Sequence, residues 1–287
     1  MANTINAGLA LDLASAKVLE TLNGIPTPLF KIYDTDISAN PDMGKYVNIK
    51  VFTPGTVQTK GSGAYADADA AYTVAPVELT EKYVTVDMVG KEIQDNDLGS
   101  FERQVAESTR KLIRQIEKEG ADYAFAEALD ANKVVSTSAN YNSVKQGEVA
   151  EKIALAGGGV DRSILLNPSY FASLLDDLSA DTFGSGRAAQ DGIAGMCRGL
   201  QTVEQTAYTA GFLGVGFDKT AVVLGARGIL DVADYEYATT VVDPVSGLPI
   251  SIKLINDQRS NRKSWVIGCR YGFVKGNVAA LIPLAAS

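Results

Sequence analysis

Residues 100–131, SFERQVAESTRKLIRQIEKEGADYAFAEALDA, predict one long helix in a chain that otherwise favours strands and turns. At about 1.5 Å per residue, this helix would be roughly 45 Å long, which is close to the width of a small domain. We expect Asp97 or Ser100 to be its N-cap residue. Apolar residues at helical spacing predict a buried stripe formed by Phe101, Val105, Leu112, Ile116 and Tyr123.

Gly120 interrupts this helical pattern. Glycine in a helix interior costs about 1 kcal/mol relative to alanine, so its presence requires a structural reason. Three explanations remain open at this stage: a bend, the close approach of another element, or a break into two helices.

Two segments before the helix alternate apolar and polar residues with the period of a strand, namely 45–52 and 82–89. Each predicts a strand with one buried face, and the two strands could pair antiparallel. The connection between them, 53–81, is rich in glycine and alanine, and a connection this long is uncommon in a compact domain. We interpret it as an extended two-stranded arm.

An isolated two-stranded arm is at best marginally stable in water, so this one needs a partner surface. A neighbouring copy of the same chain is the simplest supplier of that surface. The candidate inter-subunit contact residues in the arm are its two large side chains and a lysine: Lys60, Tyr65 and Tyr72.

The segment before residue 41 predicts a loose arm with one short amphipathic helix, whose apolar positions are Leu9, Leu13, Ala16 and Leu19. Residues 132–160 are predicted to be mobile. A buried strand, a turn at Asn167-Pro168 and a helix are then predicted within 163–178, followed by a loop that leads to a strand. Strands are predicted at 200–203, 220–224, 235–242, 249–255 and 264–274, and the apolar tail 278–285 must be buried. The turn DPVSG predicts a hairpin between the third and fourth of these strands.

Composition argues against several functional classes. The net charge is −8, which is unfavourable for a dedicated nucleic-acid-binding protein because phosphate neutralisation needs clustered Lys and Arg. The chain has no histidine, which removes Ser-His-Asp and Cys-His nucleophile systems and the usual catalytic zinc sites. Cys197 and Cys269 are expected to be reduced thiols of a cytosolic product. We predict no secretory signal and no membrane span.

Motifs that could carry chemistry have simpler structural explanations. The glycine runs at 157–159 and 211–216 lack the residues of a phosphate-binding loop and predict flexible turns. The acidic groups at 95–99 and 176–181 lack the spacing of a calcium loop and predict helix caps and solvated carboxylates. Basic residues at 259–263 predict a solvated turn. The sequence therefore predicts no catalytic residue, no metal site and no cofactor-binding site.

Aromatic residues occur at strand spacing near the C-terminus and favour packing between strands over a stacking platform for bases. These residues are Tyr235, Tyr237, Trp265, Tyr271 and Phe273.

The order of the elements carries a resemblance. A loose arm, a strand, a long glycine-rich arm, a returning strand and a long helix precede a glycine-punctuated α/β region and a final set of strands. The stretches VELTEKYVTVDMVGKEIQDNDL, ILLNPSYFASLL, DGIAGMCRGLQTVEQ and WVIGCRYGFVKGNVAALIPL are similar to those of the major capsid proteins of tailed phages. This resemblance implies the α+β Hong Kong 97-like fold.

The resemblance also implies a division of the chain into an N-terminal arm, an extended loop, a peripheral domain with a spine helix, a separate axial α/β domain and a C-terminal return strand. These parts would be the N-arm 1–40, the peripheral domain 41–52 and 82–135 with its spine helix at about 98–130, the extended loop 53–81, the axial domain 136–225, the peripheral strands 226–275 and the return strand 276–287.

In function, the resemblance implies a structural coat protein without enzymatic activity or cofactor. Copies would assemble into hexamers and pentamers of an icosahedral shell, enclosing double-stranded DNA without sequence-specific binding. The protein would assemble in the host cytoplasm and remain in the virion capsid. The partners implied are a separate scaffolding protein, since a long N-terminal scaffolding extension is lacking, and a portal, with a cement protein left open. Lys60 lies in the loop that carries covalent cross-links in some members, but its partner residues cannot be matched, so cross-linking is not predicted.

Two other functions remain open. An encapsulin-type compartment shares the fold and the approximate length but holds an enzyme cargo. A soluble α+β enzyme working through carboxylates or Lys would instead show a deep pocket with paired acids.

Overall fold

The computed structural model describes residues 7–24, 33–38, 46–53, 71–89, 98–180, 193–229, 237–243, 247–257 and 262–286. These residues form a mixed α+β structure with two larger sheets and one two-stranded ribbon. The helices in this part of the chain are α1 Ala7–Gly24, α2 Leu98–Glu127, α3 Ser143–Leu155 and α4 Pro168–Ala180.

The strands divide among three sheets. The first sheet contains β1 Asp34–Ser38, β4 Thr80–Val89, β10 Val222–Arg227, β11 Tyr237–Val242, β12 Pro249–Asp257 and β13 Arg262–Lys275. The second sheet contains β5 Val134–Val135, β6 Arg162–Leu166, β7 Ile193–Cys197, β8 Leu200–Glu204, β9 Gly214–Asp218 and β14 Ile282–Ala285. The ribbon consists of β2 Tyr46–Thr53 and β3 Ala71–Glu78.

Strand β13 organises the first sheet. It pairs antiparallel with β4 along residues 262–271. Because a strand has only two edges, β12 at 262–268 and β10 at 270–275 share the opposite edge. Strand β11 extends the sheet beyond β12 as the predicted hairpin, and β1 lies parallel to β10.

The predicted pairing of the two early strands is wrong. Strand β2 pairs with β3, and β4 pairs with β13. The reason is that residues 71–78, assigned to the loop from sequence, continue as a strand that meets β2 first. Leu79 alone separates β3 from β4. The extended arm therefore begins at Tyr46 and includes one of the two predicted strands.

Helix α2 is the predicted long helix and packs across the first sheet. Its buried stripe includes Phe101, Val105, Leu112 and Ile116, as expected, and the ring of Phe101 lies 5.5 Å from that of Trp265. The helix starts at Leu98, so Ser100 lies in its first turn and is not the N-cap, while Asp97 lies outside the described residues.

A polar contact fixes the middle of α2 on the sheet. Tyr271 Oη donates to Glu119 Oε2 at 2.7 Å, and Lys82 Nζ lies 3.2 Å from Glu119 Oε1. Burial acts to raise the pKa of Glu119, but hydrogen bonds from Gln115, Tyr271 and Lys82 outweigh it and lower the pKa. The carboxylate thus links the helix to β4 and β13.

Helix α2 is continuous through Gly120, which excludes a break into two helices, and the predicted close approach of another element is present. A Cβ atom at this position would lie 3.0 Å from the ring of Phe273 and 3.2 Å from Tyr33. Tyr33 in turn stacks on Phe217 at 5.3 Å. Since Phe273 belongs to the first sheet and Phe217 to the second, both sheets join one continuous core at this point.

Helix α1 is longer than predicted and packs on the body. It buries Ala14, Val18 and Leu22 in the main core, whereas Ala16, assigned to the apolar face from sequence, is exposed. The buried positions are spaced by four residues, which places them on one side of the helix. The N-terminal segment is therefore not loose along this helix.

The second sheet has the order β5-β14-β9-β6-β8-β7, with α3 and α4 packed against it. Helix α4 follows the predicted strand and turn. The Asn167 side chain caps its N-terminus by accepting a hydrogen bond from Tyr170 N at 3.0 Å. The apolar tail forms β14 and is buried, as predicted.

The prediction that residues 132–160 are mobile is wrong, because they contain α3. The Asn142 side chain caps this helix by accepting from Lys145 N, and Val149, Ala150 and Ile153 are buried. Residues 214–218 form the buried strand β9 where a flexible turn was predicted. Sequence reasoning also missed β7, which joins β8 through Arg198-Gly199, both with positive φ.

Gly216 provides a test of this packing. Its replacement by alanine would place a Cβ atom 2.3 Å from Val149 Cγ1 of α3, so we expect Gly216→Ala to lower the free energy of unfolding by about 1–3 kcal/mol. In the control Gly147→Ala, within α3, the nearest atom is 4.0 Å away, and helix propensity should raise stability by up to about 1 kcal/mol. Urea unfolding measures both, and equal effects would contradict the packing.

Candidate assembly surfaces

The ribbon of β2 and β3 is the most distinctive surface feature. Its register runs from Tyr46 opposite Glu78 to Thr53 opposite Ala71, which at about 3.3 Å per residue gives a ribbon of roughly 26 Å. The predicted alternation is present: Val47 and Ile49 are buried, and the polar positions between and beside them are exposed.

The base of the ribbon is seated on the first sheet. Its contact is a small apolar cluster, separate from the main core, formed by Val47, Ile49, Val77, Leu79, Val223 and Val274. Two paired glycines make the seat, since Gly225 of β10 lies opposite Gly272 of β13. A Cβ atom at Gly225 would lie 2.9 Å from Ile49 Cδ1, and one at Gly272 would lie 2.5 Å from Glu78 O. Only glycine lets the ribbon lie this close.

At two described positions farther along the ribbon, this support is absent. Thr73 is exposed and Val74 is 46% exposed, and neither belongs to a hydrophobic cluster of the described residues. Among the described strands, neither β2 nor β3 has a second sheet neighbour. The seat therefore stabilises the base and leaves the rest as a two-stranded projection.

The three candidate contact residues are Lys60, Tyr65 and Tyr72. Lys60 and Tyr65 lie outside the described residues, and so does the rest of 54–70. Tyr72 lies in β3, opposite Phe52 in the register, and only its backbone is described. The role of these three residues in contacts between subunits stays a prediction.

The strand after the N-terminal helix is held on the body by an ion pair that sequence reasoning missed. Arg227 Nη2 lies 2.9 Å from Asp36 Oδ1, and Nη1 donates to Asp36 O at 2.5 Å. Arg227 is only 7% exposed, so this pair and the parallel register fix β1 on β10. Buried charges of this kind require a partner.

A buried acid lies where this segment meets α2. Burial raises the pKa of Glu117 to about 7, and Arg114 opposes this rise only in part. The Tyr33 hydroxyl is fully buried and has no hydrogen-bond partner within the described residues. Burial, and secondarily the charge of Glu117, raise the pKa of Tyr33, so the phenol stays neutral.

Metal sites and paired acids are the features that catalysis by this chain would need. The described residues contain no group of three or more His, Cys, Asp or Glu placed to hold a metal ion. A cavity of about 260 Å³ beside β6 is lined by one carboxylate, Asp161, together with Arg162 and Lys219, so it lacks the paired acids that the enzyme alternative predicts. Cys197 and Cys269 are buried and free, and burial raises the pKa of Cys269 to about 12.

Other sequence predictions are resolved as follows. Gly157 follows α3 in a turn with positive φ, in agreement with a turn and not a phosphate loop. Asp177 accepts from Ser143 N at 2.8 Å and so acts as a capping carboxylate. Trp265 and Tyr271 are buried in the core, as expected for packing residues.

The basic turn at 259–263 lies mostly outside the described residues. No described helix is long and apolar enough to cross a bilayer.

Comparison with known proteins identifies solved structures with a similar fold. The chain matches no family model and no curated protein sequence. Among solved structures, it is similar to the capsid of Ralstonia phage GP4, with a TM-score of 0.57, 10% identity, and coverage of 91% of this chain and 88% of that chain. For a Mycobacterium phage Che8 structure, the TM-score is 0.54 at 17% identity, with coverage of 84% of this chain and 85% of that chain. For the mature capsid of bacteriophage PhiM1, the TM-score is 0.54 at 13% identity, with coverage of 90% of this chain and 86% of that chain.

These likenesses cover most of the chain on both sides of each comparison. At such low identity they establish the fold: the chain has the α+β fold of tailed-phage capsid proteins, as the resemblance implied. The boundaries of the peripheral and axial domains stay predictions.

The glycine seat can be tested by substitution. Gly272→Ala would place a Cβ atom 2.5 Å from Glu78 O and 2.7 Å from Val77 Cγ1, so we expect the ribbon to leave its seat. Amide hydrogen exchange in β2 and β3 should then rise at least tenfold, while exchange in β6 and β9 of the second sheet stays unchanged. Unchanged protection of the ribbon would show that the seat is unimportant.

Glu117 predicts a pH dependence of stability. Its pKa is about 7 in the folded protein against an ordinary 4.5, so the folded state holds the proton more tightly than the unfolded chain. The protonated Glu117 therefore contributes its whole stabilisation below about pH 4.5, and this contribution is lost as the pH rises through about 7. The free energies of unfolding of wild type and Glu117→Gln, measured with denaturant, should differ by an amount that changes over this pH range. The control is Glu107→Gln, an exposed acid of the same helix, and an equal change in both would refute the assignment.

Proposed function

We propose that the chain is the major capsid protein of a tailed bacteriophage and assembles into hexamers and pentamers of an icosahedral shell around double-stranded DNA. The single observation that carries this proposal is the ribbon, which is seated at its base and unsupported beyond it. A projection of this kind gains stability when it lies on a neighbouring copy, so the incomplete subunit becomes complete in the assembly.

The geometry of such contacts suits a closed shell. A ribbon that leaves one side of a subunit and lies on the next makes a head-to-tail contact, and contacts of this type form rings when the rotation closes. Each contact need only be weak, because many contacts per subunit act together in the closed lattice. Assembly, rather than catalysis, is then the function of the chain.

A second set of exposed groups lies around the second sheet. Leu155, Val160 and Met196 are 80%, 85% and 71% exposed, respectively, on the helix, loop and strand around the second sheet. Large apolar side chains at such exposure favour burial in a contact with another chain. In the proposed shell, they would meet copies around the axis of the hexamer or pentamer, in agreement with an axial domain at about 136–225.

The partners follow from this role. A separate scaffolding protein would guide assembly, a portal would occupy one vertex, and a cement protein stays open. The protein would assemble in the host cytoplasm and reside in the virion capsid. Later expansion of the shell would proceed by rigid rotation of subunits with rearrangement of their arms. No observation favours the encapsulin-type compartment or the enzyme over this role.

Removal of the ribbon tip tests the proposal. Thr53 and Ala71 are a strand pair, so residues 54–70 can be replaced by Asn-Gly, the preferred two-residue hairpin turn. The base and its seat remain, and we expect a folded subunit with an unchanged unfolding transition that forms no shells. Size-exclusion chromatography and negative-stain electron microscopy, with scaffolding protein present, measure this outcome.

Two further outcomes separate the parts of the proposal. Shells of normal size and stability from the shortened chain would show that the tip is not an assembly element. A full-length chain that remains a discrete monomer even with scaffolding protein would refute the capsid function itself. The triple variant Lys60→Ala/Tyr65→Ala/Tyr72→Ala keeps the ribbon length and asks whether these side chains make the contact.

A further inference from the structure

The solvent-facing side of α2 carries a concentration of positive charge. Counted at 100° per residue, the basic residues fall within one sector of about 100°, opposite the buried stripe, and extend for roughly 22 Å. Four are exposed and Lys118 is partly exposed. We call this surface the basic stripe; its residues are Arg103, Arg110, Lys111, Arg114 and Lys118.

Few carboxylates neutralise the basic stripe. Glu107 is the one acid in the same sector and pairs with Arg110 at 2.6 Å. Glu117, at the edge of the sector and partly buried, interacts electrostatically with Arg114. Asp122, near the far end, lies 3.8 Å from Lys118 but is also engaged by Thr209. Arg103 and Lys111 form no ion pair with any described residue. In a chain of net charge −8, this local excess of cations is the opposite of the average surface.

The same face lacks what a protein partner would need. Between residues 98 and 127, no large hydrophobic side chain is exposed among the described residues. Interfaces between proteins usually depend on aromatic or aliphatic anchors that become fully buried, with charges at the rim. A flat row of flexible cations without anchors is instead suited to a row of phosphates, which need charge neutralisation and no pocket.

We propose that the basic stripe binds the phosphate backbone of double-stranded DNA, and that α2 therefore faces the interior of the shell. This inference rests on the proposed capsid function for the identity of the polyanion. The contact carries no base recognition, because its groups form no array of donors directed into a groove.

The strength of this contact is set by salt. Each phosphate neutralised releases about 0.9 counterion, so a stripe of up to five cations gives an affinity that falls steeply with salt concentration. At physiological salt, binding by one subunit would be weak, on the order of 10⁻⁴ M or weaker. Weak contacts repeated over the shell would hold the outer layer of DNA near the wall and still let it slide.

The test measures duplex binding by unassembled full-length subunits at several salt concentrations, using fluorescence anisotropy of a short labelled DNA duplex. The variant Arg103→Gln/Arg110→Gln/Arg114→Gln removes three cations of the stripe. We expect the slope of log K against log salt to fall by about 3 and the low-salt affinity to fall at least tenfold. The matched control Lys133→Gln/Arg198→Gln/Lys219→Gln removes three exposed cations outside α2 and should retain the steep salt dependence.

Each other outcome overturns the inference. Equal losses in the two triple variants would mean that binding follows total charge and not the stripe. If the wild-type chain does not bind duplex DNA at low salt but binds poly-glutamate, the partner of the stripe is an acidic protein segment. Should the first variant fail to fold in a thermal unfolding check, Lys111→Gln/Lys118→Gln asks the same question with an expected slope change of about 2.

Failure of this inference is distinguishable from failure of the proposed function. Binding is measured on unassembled subunits, whereas shell formation is imaged separately. Shells without duplex binding would refute only the stripe, and duplex binding without shells would refute the capsid function.

Discussion

A two-stranded ribbon that projects from a folded body must find its stabilising contacts elsewhere, and this constraint governs the structure. The seat at Gly225 and Gly272 supports only the base, through an apolar cluster that is separate from the main core. A monomeric protein would gain stability by folding such a ribbon back or by adding a third strand. Retaining the projection is unfavourable for an isolated subunit and favourable for one that is completed by its neighbours.

For a projection to position a neighbour, the body that carries it must be rigid. Helix α2 provides this rigidity because one face packs on β4 and β13 while its C-terminal part reaches β9 and the turn before it, where the rings of Phe125 and Phe212 lie 5.3 Å apart. The close approach at Gly120 brings Tyr33, Phe273 and Phe217 into the same core. The two sheets are thus held by shared packing and do not hinge freely at this point.

The sequence predicted the long helix, most strands and the order of elements well, because these depend on local periodicity. It failed where the outcome depended on partners far along the chain. Strand β3 was predicted only as an unplaced part of the extended two-stranded arm, and its pairing with β2 was not predicted. Helix α3 was missed because its glycine and polar residues weaken the apolar pattern, and its buried face is defined by packing on distant elements, among them β9 and β14.

The candidate site shows the same division. Alternation in β2 was readable, but the glycine seat required knowing that Gly225 and Gly272 are paired across two strands. The available indication was Gly272 inside the predicted strand 264–274, since a glycine within a strand often marks a close approach of backbone, whereas Gly225 directly follows the predicted strand 220–224. The Arg227–Asp36 pair spans 191 residues of sequence, and no local pattern could have joined its members.

Net charge was the least informative of the sequence properties for this surface. A value of −8 argues against a chain that binds nucleic acid over its whole surface, yet charge acts locally because the Debye length is about 8–10 Å. The stripe on α2 spans more than twice that distance, so a phosphate backbone lying along it experiences mainly the local cations. Acidic residues elsewhere on the subunit contribute at longer range, where salt screens them. An overall acidic subunit and a basic face on α2 are therefore compatible, and in the proposed shell they would limit DNA binding to one side of the wall.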